Sequence, residues 1–310
     1  MANLSNVQNG TTNQESFCYK GTLDGKQPKM LLLTLNIVIS VTAFLGNALI
    51  IFALPKVSTL HRSSKLFFSC LAWSDLSVGL VSEPLYITFL LSPEDTILCY
   101  YSDIISNTAA VVFCGVSFQT ITAISVDRLL ALSLGLRYRH TVTTRRVRVF
   151  VIVPCLTSSA ASLTYLFDEQ LIHTSITCIG ILICAAVSTF CYTKIYLTLR
   201  HYHSQVHENT HQEPQGEGRT PLNMARYRKT VSSVLWVQLS IVACYLPYSI
   251  IAILITVLKT YPPSLDVVWE LTFTLLMFNS SLNPILYCWK IAGVRQAVMK
   301  TIRKCFYLSS

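Results

Sequence analysis

Charged residues are scarce in this sequence. Asp, Glu, Lys and Arg together make up 13% of the 310 residues, whereas 52% are apolar and the mean hydropathy is +0.50. A soluble domain usually carries about 25% charged residues. The charges also stand in clumps, and the seven stretches between them reach the length of about 20 residues that crosses a bilayer as a helix. The composition therefore argues strongly against a soluble domain.

Three further absences narrow the class. The apolar stretches do not alternate in polarity over about 10 residues, as the strands of a membrane β-barrel do. No internal repeat is evident, which disfavours many transporter folds. Residues 1–28 lack a basic start followed by an apolar run, so no cleavable signal peptide is expected. The sequence predicts an all-α membrane protein with a bundle of seven transmembrane helices.

The apolar stretches divide the chain into three parts. We expect an extracellular tail at 1–29, the seven-helix bundle at 30–288, and a short amphipathic eighth helix with a cytosolic tail at 289–310. In the last part, apolar residues recur at helical spacing between basic ones, which is typical of a helix lying on the inner leaflet. Cys305 at its end is a candidate for palmitoylation, with an unmodified Cys against lipid as the alternative. The seven spans are predicted at 30–54, 66–91, 97–132, 149–167, 171–199, 228–258 and 265–288.

The basic residues predict the orientation. With the N-terminus outside, four of the 24 Lys and Arg residues lie on the outer side and twenty on the inner side, whereas nine of the 15 acidic residues lie outside. This positive-inside asymmetry indicates a multi-pass membrane protein with its N-terminus outside. It also accounts for the net charge of +9 without a nucleic-acid partner. Asn3 and Asn9 begin N-glycosylation sequons in the outer tail.

Polar residues inside the spans need a reason, because an ionisable group at mid-bilayer costs about 2.5–3.5 kcal/mol to insert. Asp75 stands in the middle of the second span. Asn279, Asn283 and Tyr287 recur at steps of four in the seventh span and so share one face. The third span carries a similar stripe that includes Ser117. We expect a polar seam that hydrates Asp75 or coordinates a cation there; a purely structural hydrogen-bonded core is the alternative.

Five motifs follow one another along the spans in an order and spacing that a known family shares. Any one of them is weak evidence, but five in register are specific. The chain therefore resembles the rhodopsin-like, or class A, G-protein-coupled receptors. The motifs are Gly46-Asn47, Leu71-Ala72-Trp73-Ser74-Asp75, Asp127-Arg128, Cys244-Tyr245-Leu246-Pro247 and Asn283-Pro284-Ile285-Leu286-Tyr287.

The resemblance implies a receptor that lies among membrane lipids, binds an extracellular ligand and activates heterotrimeric G proteins. It implies an allosteric Na⁺ ion and no required cofactor. Leu136, in the loop after the third span, looks like the apolar side chain that such receptors insert into the G protein. The implied sodium site consists of Asp75, Ser117, Asn279, Ser280 and Asn283. The implied activation switch consists of Asp127, Arg128, Tyr192, Tyr245, Pro247 and Tyr287.

Several residues depart from the family pattern. Leu129 replaces the Tyr that usually follows Asp-Arg, and Tyr245 replaces the usual Trp of the sixth span. Tyr227 stands where many members carry an acid that locks Arg128. Asp103 replaces the usual Cys at the outer end of the third span, and the fifth span lacks Pro. With the short second outer loop, these last two features resemble the melanocortin, lysophospholipid and cannabinoid receptors.

The outer pocket is predicted to be acidic. Ala110 stands where amine receptors place an Asp, and the absence of Lys from the seventh span excludes a retinal Schiff base. A buried acid in this pocket would lack a partner of opposite charge. A cationic peptide, a cationic small molecule or Ca²⁺ would supply that partner. A lipid or another apolar ligand is the alternative. The predicted ligand-binding residues are Glu83, Asp103, Asn107, Tyr248, Trp269 and Phe273.

Two further sequence features concern the cysteines and the histidines. Cys18 and Cys99 are the cysteines expected outside, where oxidation is favoured, and we predict a disulfide between them, with two free thiols as the alternative. Residues 207–211 match H-E-x-x-H, a zinc-protease pattern. They fall in a polar loop predicted near 200–227, which offers no apolar pocket. A membrane zinc protease and a transporter are therefore remote alternatives.

Overall fold

The described part of the protein is helical throughout its length. The computed structural model describes residues 26–58, 60–93, 96–166, 170–210, 221–258, 263–290 and 292–307. No strand occurs among these residues. The helices are α1 (Lys26–Ala53), α2 (Arg62–Ser77), α3 (Glu83–Leu91), α4 (Ile97–Leu134), α5 (Tyr138–Thr141), α6 (Thr144–Leu166), α7 (Gln170–Thr210), α8 (Pro221–Leu258), α9 (Pro263–Lys290) and α10 (Ala292–Tyr307).

Seven spans form the predicted bundle when α2 and α3 are counted as one, with α5 a short inner connection and α10 the eighth helix. Among the described residues, five helices are long and apolar enough to cross a membrane, and Val242–Leu258 is a shorter apolar helix within α8. Many of their large apolar side chains are exposed on the outside of the bundle, as lipid-facing positions require. The loop predicted near 200–227 is too long, because α7 reaches Thr210 and α8 begins at Pro221.

The second span is interrupted by a π-helical turn at Val78–Ser82, between α2 and α3. Pro84 supplies the reason, since it lacks an N–H and its ring would collide with the carbonyl of Leu80, four residues earlier. A π turn accommodates one extra residue. Asp75 and Glu83 would be rotated by about 80° along an unbroken α-helix, and the extra residue reduces this to about 20°. Both side chains therefore face the interior, and both are fully buried.

Helix α1 packs closely against α9 and against the π turn. A Cβ atom at Gly46 would lie 2.9 Å from the Pro284 side chain, and one at Gly79 would lie 2.8 Å from the α1 backbone. Polar side chains also join α1 to α9 within the bundle, where such hydrogen bonds hold helices together. The contacts are Asn36 Nδ2 to Thr274 Oγ1 at 3.1 Å, Thr42 Oγ1 to Ser281 Oγ at 2.9 Å, Asn47 Nδ2 to the Ser280 carbonyl at 3.0 Å, and Ser281 Oγ to the Ile39 carbonyl at 3.1 Å.

Helix α4 contacts α2, α3, α6, α7 and α9, so it runs through the middle of the bundle. Its last residue is followed by Gly135, whose φ of +50° is rarely adopted by L side chains. The turn Gly135–Arg137 then leads into α5. At the other end of the chain, α10 buries its apolar face against α1 and α9. Lys56 Nζ donates a hydrogen bond to Thr301 Oγ1 at 2.9 Å and fastens α10 to the end of α1.

Candidate functional site

Asp75 lies at the centre of the bundle with no part of its side chain exposed. Ser117 Oγ donates a hydrogen bond to its Oδ1 at 2.8 Å, and Asn283 Nδ2 donates one to its Oδ2 at 2.7 Å. These contacts connect α2 to α4 and α9, so three distant segments of the sequence meet at one carboxylate. Two neutral donors leave the charge of an ionised Asp75 uncompensated, which is costly in an apolar interior.

Several buried polar atoms around the Asp75 partners have no hydrogen-bond partner among the described residues. They are both side-chain heteroatoms of Asn279, Ser280 Oγ, Asn283 Oδ1 and the Tyr287 hydroxyl. Buried polar atoms are normally paired, and exceptions of this kind indicate an ion or water that completes the site. Carboxylate, hydroxyl and amide oxygens are the ligands that hard cations prefer. The residues present therefore fit a partly hydrated sodium ion.

A second cluster surrounds Asp127 at the inner end of α4. Its carboxylate accepts hydrogen bonds from the Tyr138 hydroxyl at 2.5 Å and from Ser64 Oγ at 3.2 Å. The Arg128 guanidinium lies 3.3 Å from the same carboxylate. Burial raises the pKa of Tyr138, and the hydrogen bond to Asp127 raises this pKa further. The hydroxyl therefore stays protonated near neutral pH, and α2 and α5 both brace the Asp127–Arg128 ion pair.

Two tyrosines of the predicted switch have hydroxyls that do not bond to Arg128. The Tyr192 hydroxyl lies 2.7 Å from Ser125 Oγ, one helical turn before Arg128. The Tyr287 ring packs edge-on against Phe68, with 5.0 Å between the ring centroids, and its hydroxyl has no partner among the described residues. In this structure Arg128 is therefore paired with its neighbouring carboxylate, and neither tyrosine hydroxyl contacts it.

The remaining switch residues lie on α8 and on the turn after α4. Tyr245 donates a hydrogen bond to the Cys114 carbonyl at 2.9 Å and stacks on Phe118 at 4.6 Å between centroids. Tyr245 therefore ties α8 to α4 through a hydroxyl that the usual Trp of this position lacks. Pro247, two residues further, lies inside α8 and removes a backbone hydrogen bond there. The side chains of Leu136 and Tyr227, which the sequence analysis named, are not among those that the structure describes.

Contacts are present within two groups of the side chains predicted for the outer pocket. On α4, Asn107 Nδ2 donates a hydrogen bond to Asp103 Oδ1 at 2.8 Å, as their four-residue spacing predicts. On α8 and α9, Tyr248 lies 5.1 Å from Trp269 and 6.3 Å from Phe273 between ring centroids. The structure therefore brings the three predicted aromatic residues together. Their role in binding a ligand stays a prediction.

Sequence reasoning missed three side chains that contact predicted site residues, those of Ser64, Tyr86 and Tyr138, and also missed Glu270, which contacts Tyr86. Tyr86 donates a hydrogen bond to the Glu270 carboxylate and joins α3 to α9, although the two are 184 residues apart. Ser64 and Tyr138 contact Asp127 from α2 and α5. The sequence offered one local signal for Tyr86: it follows Glu83 by three residues and so lies on the same face of a helix. No pattern in the sequence pairs these residues with their partners.

The predicted modification sites fall largely outside the described residues. Cys99 is disulfide-bonded. Its predicted partner Cys18 lies outside the described part of the chain, as do Asn3 and Asn9, so these pairings and modifications stay predictions. Cys305 belongs to α10, and its side chain is not among those described. Among the side chains that the structure describes, the free cysteines are Cys70, Cys114, Cys155, Cys178, Cys184, Cys191, Cys244 and Cys288.

The H-E-x-x-H pattern lies at the edge of the described region. Residues 207–210 form the helical end of α7 and not a loop, while His211 lies outside the described residues. Within the part of the chain that the structure describes, no three His, Cys, Asp or Glu side chains form a metal-binding group.

The seven-helix bundle, its buried central carboxylate and the Asp-Arg pair at its inner end define an integral membrane receptor. The chain belongs to the rhodopsin family of seven-transmembrane receptors, whose family model matches residues 46–287. It is a class A G-protein-coupled receptor, a multi-pass membrane protein that binds a ligand and activates G proteins, and it is not an enzyme. The predicted family is confirmed, and the zinc-protease and transporter alternatives are removed.

The chain is similar to several adenosine receptors. Adenosine receptor A3 from Ovis aries is 27% identical over 299 residues, which cover 88% of this chain and 90% of the relative. Adenosine receptor A2a from Cavia porcellus is 24% identical over 306 residues, which cover 87% and 72%. Adenosine receptor A2b from Gallus gallus is 30% identical over 132 residues, which cover 43% and 38%. The resemblance of the outer features to the melanocortin, lysophospholipid and cannabinoid receptors stays an interpretation.

Proposed function

We propose that the receptor works in the plasma membrane with its N-terminus outside, and that a sodium ion at Asp75 stabilises its resting state. The observation that carries this proposal is the fully buried Asp75 carboxylate, which has only neutral hydrogen-bond donors. A sodium ion would compensate the charge, and Asn279 and Ser280 would add oxygen ligands. Because Ser117 and Asn283 come from α4 and α9, the bound ion opposes any movement that separates these helices.

Activation at the inner end follows from the Asp127 cluster. In the resting state, Asp127 holds Arg128 as an ion pair. When α8 moves outward, the planar guanidinium of Arg128 can donate to the Tyr192 and Tyr287 hydroxyls instead. The opened inner end then admits a heterotrimeric G protein, with Leu136 as its apolar contact.

At the outer end, we favour a cationic peptide or a cationic small molecule as the ligand. Glu83 is fully buried without a hydrogen-bond partner among the described residues, so an approaching cation would satisfy it. Asp103 is partly satisfied by Asn107. Calcium prefers several oxygen ligands, so it would need oxygens beyond those of Glu83 and Asp103. A lipid or another apolar ligand on the aromatic side chains remains the alternative if the acids prove inert.

Adenosine is the second candidate ligand, because receptors named for it align with most of this chain. An adenine ring would stack on the aromatic group formed by Tyr248, Trp269 and Phe273. A neutral nucleoside does not need a carboxylate partner, so its binding would be insensitive to neutralisation of Glu83.

The test is nucleotide exchange on G proteins in membranes that carry the receptor, with adenosine, cationic peptides, organic amines and lipids as agonists. Arg128→Ala should abolish activation by any agonist at matched surface expression. An agonist whose potency falls more than about threefold in Glu83→Gln or Asp103→Asn supports the cationic ligand. Activation by adenosine or a lipid with unchanged potency in both variants contradicts it.

A further inference from the structure

The contact between Tyr86 and Glu270 places a second carboxylate in the outer half of the bundle. Tyr86 is 1% exposed and donates its hydroxyl hydrogen to the half-buried Glu270. Its ring stacks on Phe89 and meets Phe273 edge-on, with 5.1 Å between the latter centroids. The aromatic packing fixes the Tyr86 hydroxyl, which in turn orients the Glu270 carboxylate toward α3.

Glu83 lies one turn before Tyr86 on the same helix and completes this cluster. The π turn at Val78–Ser82 rotates Glu83 into the bundle, where neither of its carboxylate oxygens has a partner among the described residues. Glu270 contacts the Tyr86 hydroxyl directly, and Glu83 lies three residues before Tyr86, on the same face of α3. Two carboxylates from α3 and α9 therefore converge on one tyrosine.

The chemistry of this cluster favours one class of ligand. A buried carboxylate without a partner is costly, and a cation with several N–H donors can satisfy two carboxylates at once. The rings of Trp269 and Phe273 adjoin Glu270 on α9 and offer faces on which an organic cation gains further attraction. A hard metal ion prefers a shell of oxygen ligands to aromatic faces, so the rings favour an organic cation. A neutral ligand would leave Glu83 unpaired.

We propose that an organic ammonium or guanidinium group binds between α3 and α9, with Glu83 and Glu270 as its charge partners and Tyr86 as a positioning residue. The inference rests on the proposed ligand class. It assigns the charged contacts of the ligand to Glu83 and Glu270 and not to Asp103. Asp103 lies on α4 and already accepts a hydrogen bond from Asn107. The site also differs from the third-span position at Ala110, which carries no charge.

The experiment measures binding to the full-length receptor in lipid nanodiscs by its thermal unfolding midpoint, without a G protein. The probes are 2-phenylethylamine, agmatine as a guanidinium compound, and 2-phenylethanol as the neutral control of similar shape. We expect either cation to bind at least about tenfold more tightly than the alcohol. Glu270→Gln and Glu83→Gln should each weaken cation binding by about tenfold or more, while Asp103→Asn should change it by less than about threefold.

Folding of each variant is checked by its response to sodium, which depends on the separate Asp75 site. Tyr86→Phe keeps the aromatic packing but removes the hydroxyl that donates to Glu270, so it should weaken cation binding and leave the binding of the alcohol unchanged. Equal binding of amine and alcohol, or no cation binding in a sodium-responsive receptor, overturns the inference. Loss of cation binding in Asp103→Asn but not in Glu270→Gln also overturns it, while leaving the proposed cationic ligand intact.

Discussion

Tyr138→Phe should raise the basal activity of the receptor. The substitution removes only the hydroxyl that donates to Asp127 at 2.5 Å and leaves the edge-on contact with the His61 ring. A hydrogen bond to a charged group contributes about 1.5–3 kcal/mol. Asp127 keeps Ser64 and Arg128 as partners, so we take the lower value. A loss of about 1.5 kcal/mol from the resting state shifts the equilibrium toward the active state about tenfold.

The assay is agonist-free nucleotide exchange at matched surface expression, with Tyr196→Phe as the control because this tyrosine is exposed on α7. Burial and Asp127 both raise the pKa of Tyr138. A group with a raised pKa loses its stabilising proton only as the pH rises through that pKa, here above the usual tyrosine value of about 10. The effect of Tyr138→Phe should therefore be the same across neutral pH. Unchanged basal activity, or an equal rise in Tyr196→Phe, refutes this reasoning.

Three other predictions concern packing and the outer surface. Gly79→Ala should destabilise the receptor by about 1–3 kcal/mol in thermal unfolding, because its Cβ would lie 2.8 Å from the α1 backbone, whereas Gly180→Ala has open space and should not. Cys18→Ser should free the thiol of Cys99, and mass spectrometry that finds both thiols free in the unmodified receptor rejects their pairing. Replacing Asn3 and Asn9 by Gln should remove any glycosidase-sensitive shift in gel mobility, and a shift that persists places the glycan elsewhere.

The span positions could be predicted from the sequence because about 20 uncharged residues are sufficient to identify a membrane helix. The convergence of Asp75, Ser117 and Asn283 was also within reach, since five motifs in register imply the family's helix arrangement. The ends of the helices beyond the apolar stretches could not be predicted. The inner ends of α7 and α8 extend through polar residues, where no hydrophobic limit marks the last turn.

The contacts between helices could not be predicted, because they depend on the rotation of each helix about its axis. Pro84 signals a distortion, but the π turn that rotates Glu83 inward is one of several responses to a proline. Tyr86 and Glu270 could be paired only after α3 and α9 had been placed side by side. The contact of Tyr138 could not be predicted either, because its four-residue helix falls between two predicted spans.

The sodium dependence of basal nucleotide exchange tests the central claim most directly, that Asp75 is the cation-binding centre of the receptor. Exchange is measured as NaCl replaces the chloride of a large organic cation at constant ionic strength. Ser74→Ala is the matched control, because Ser74 is the buried neighbour whose hydroxyl bonds to the Leu71 carbonyl. We predict that sodium lowers basal exchange in the unmodified receptor and in Ser74→Ala, and has no effect in Asp75→Asn. An equal sodium response in Asp75→Asn at matched expression would contradict the claim.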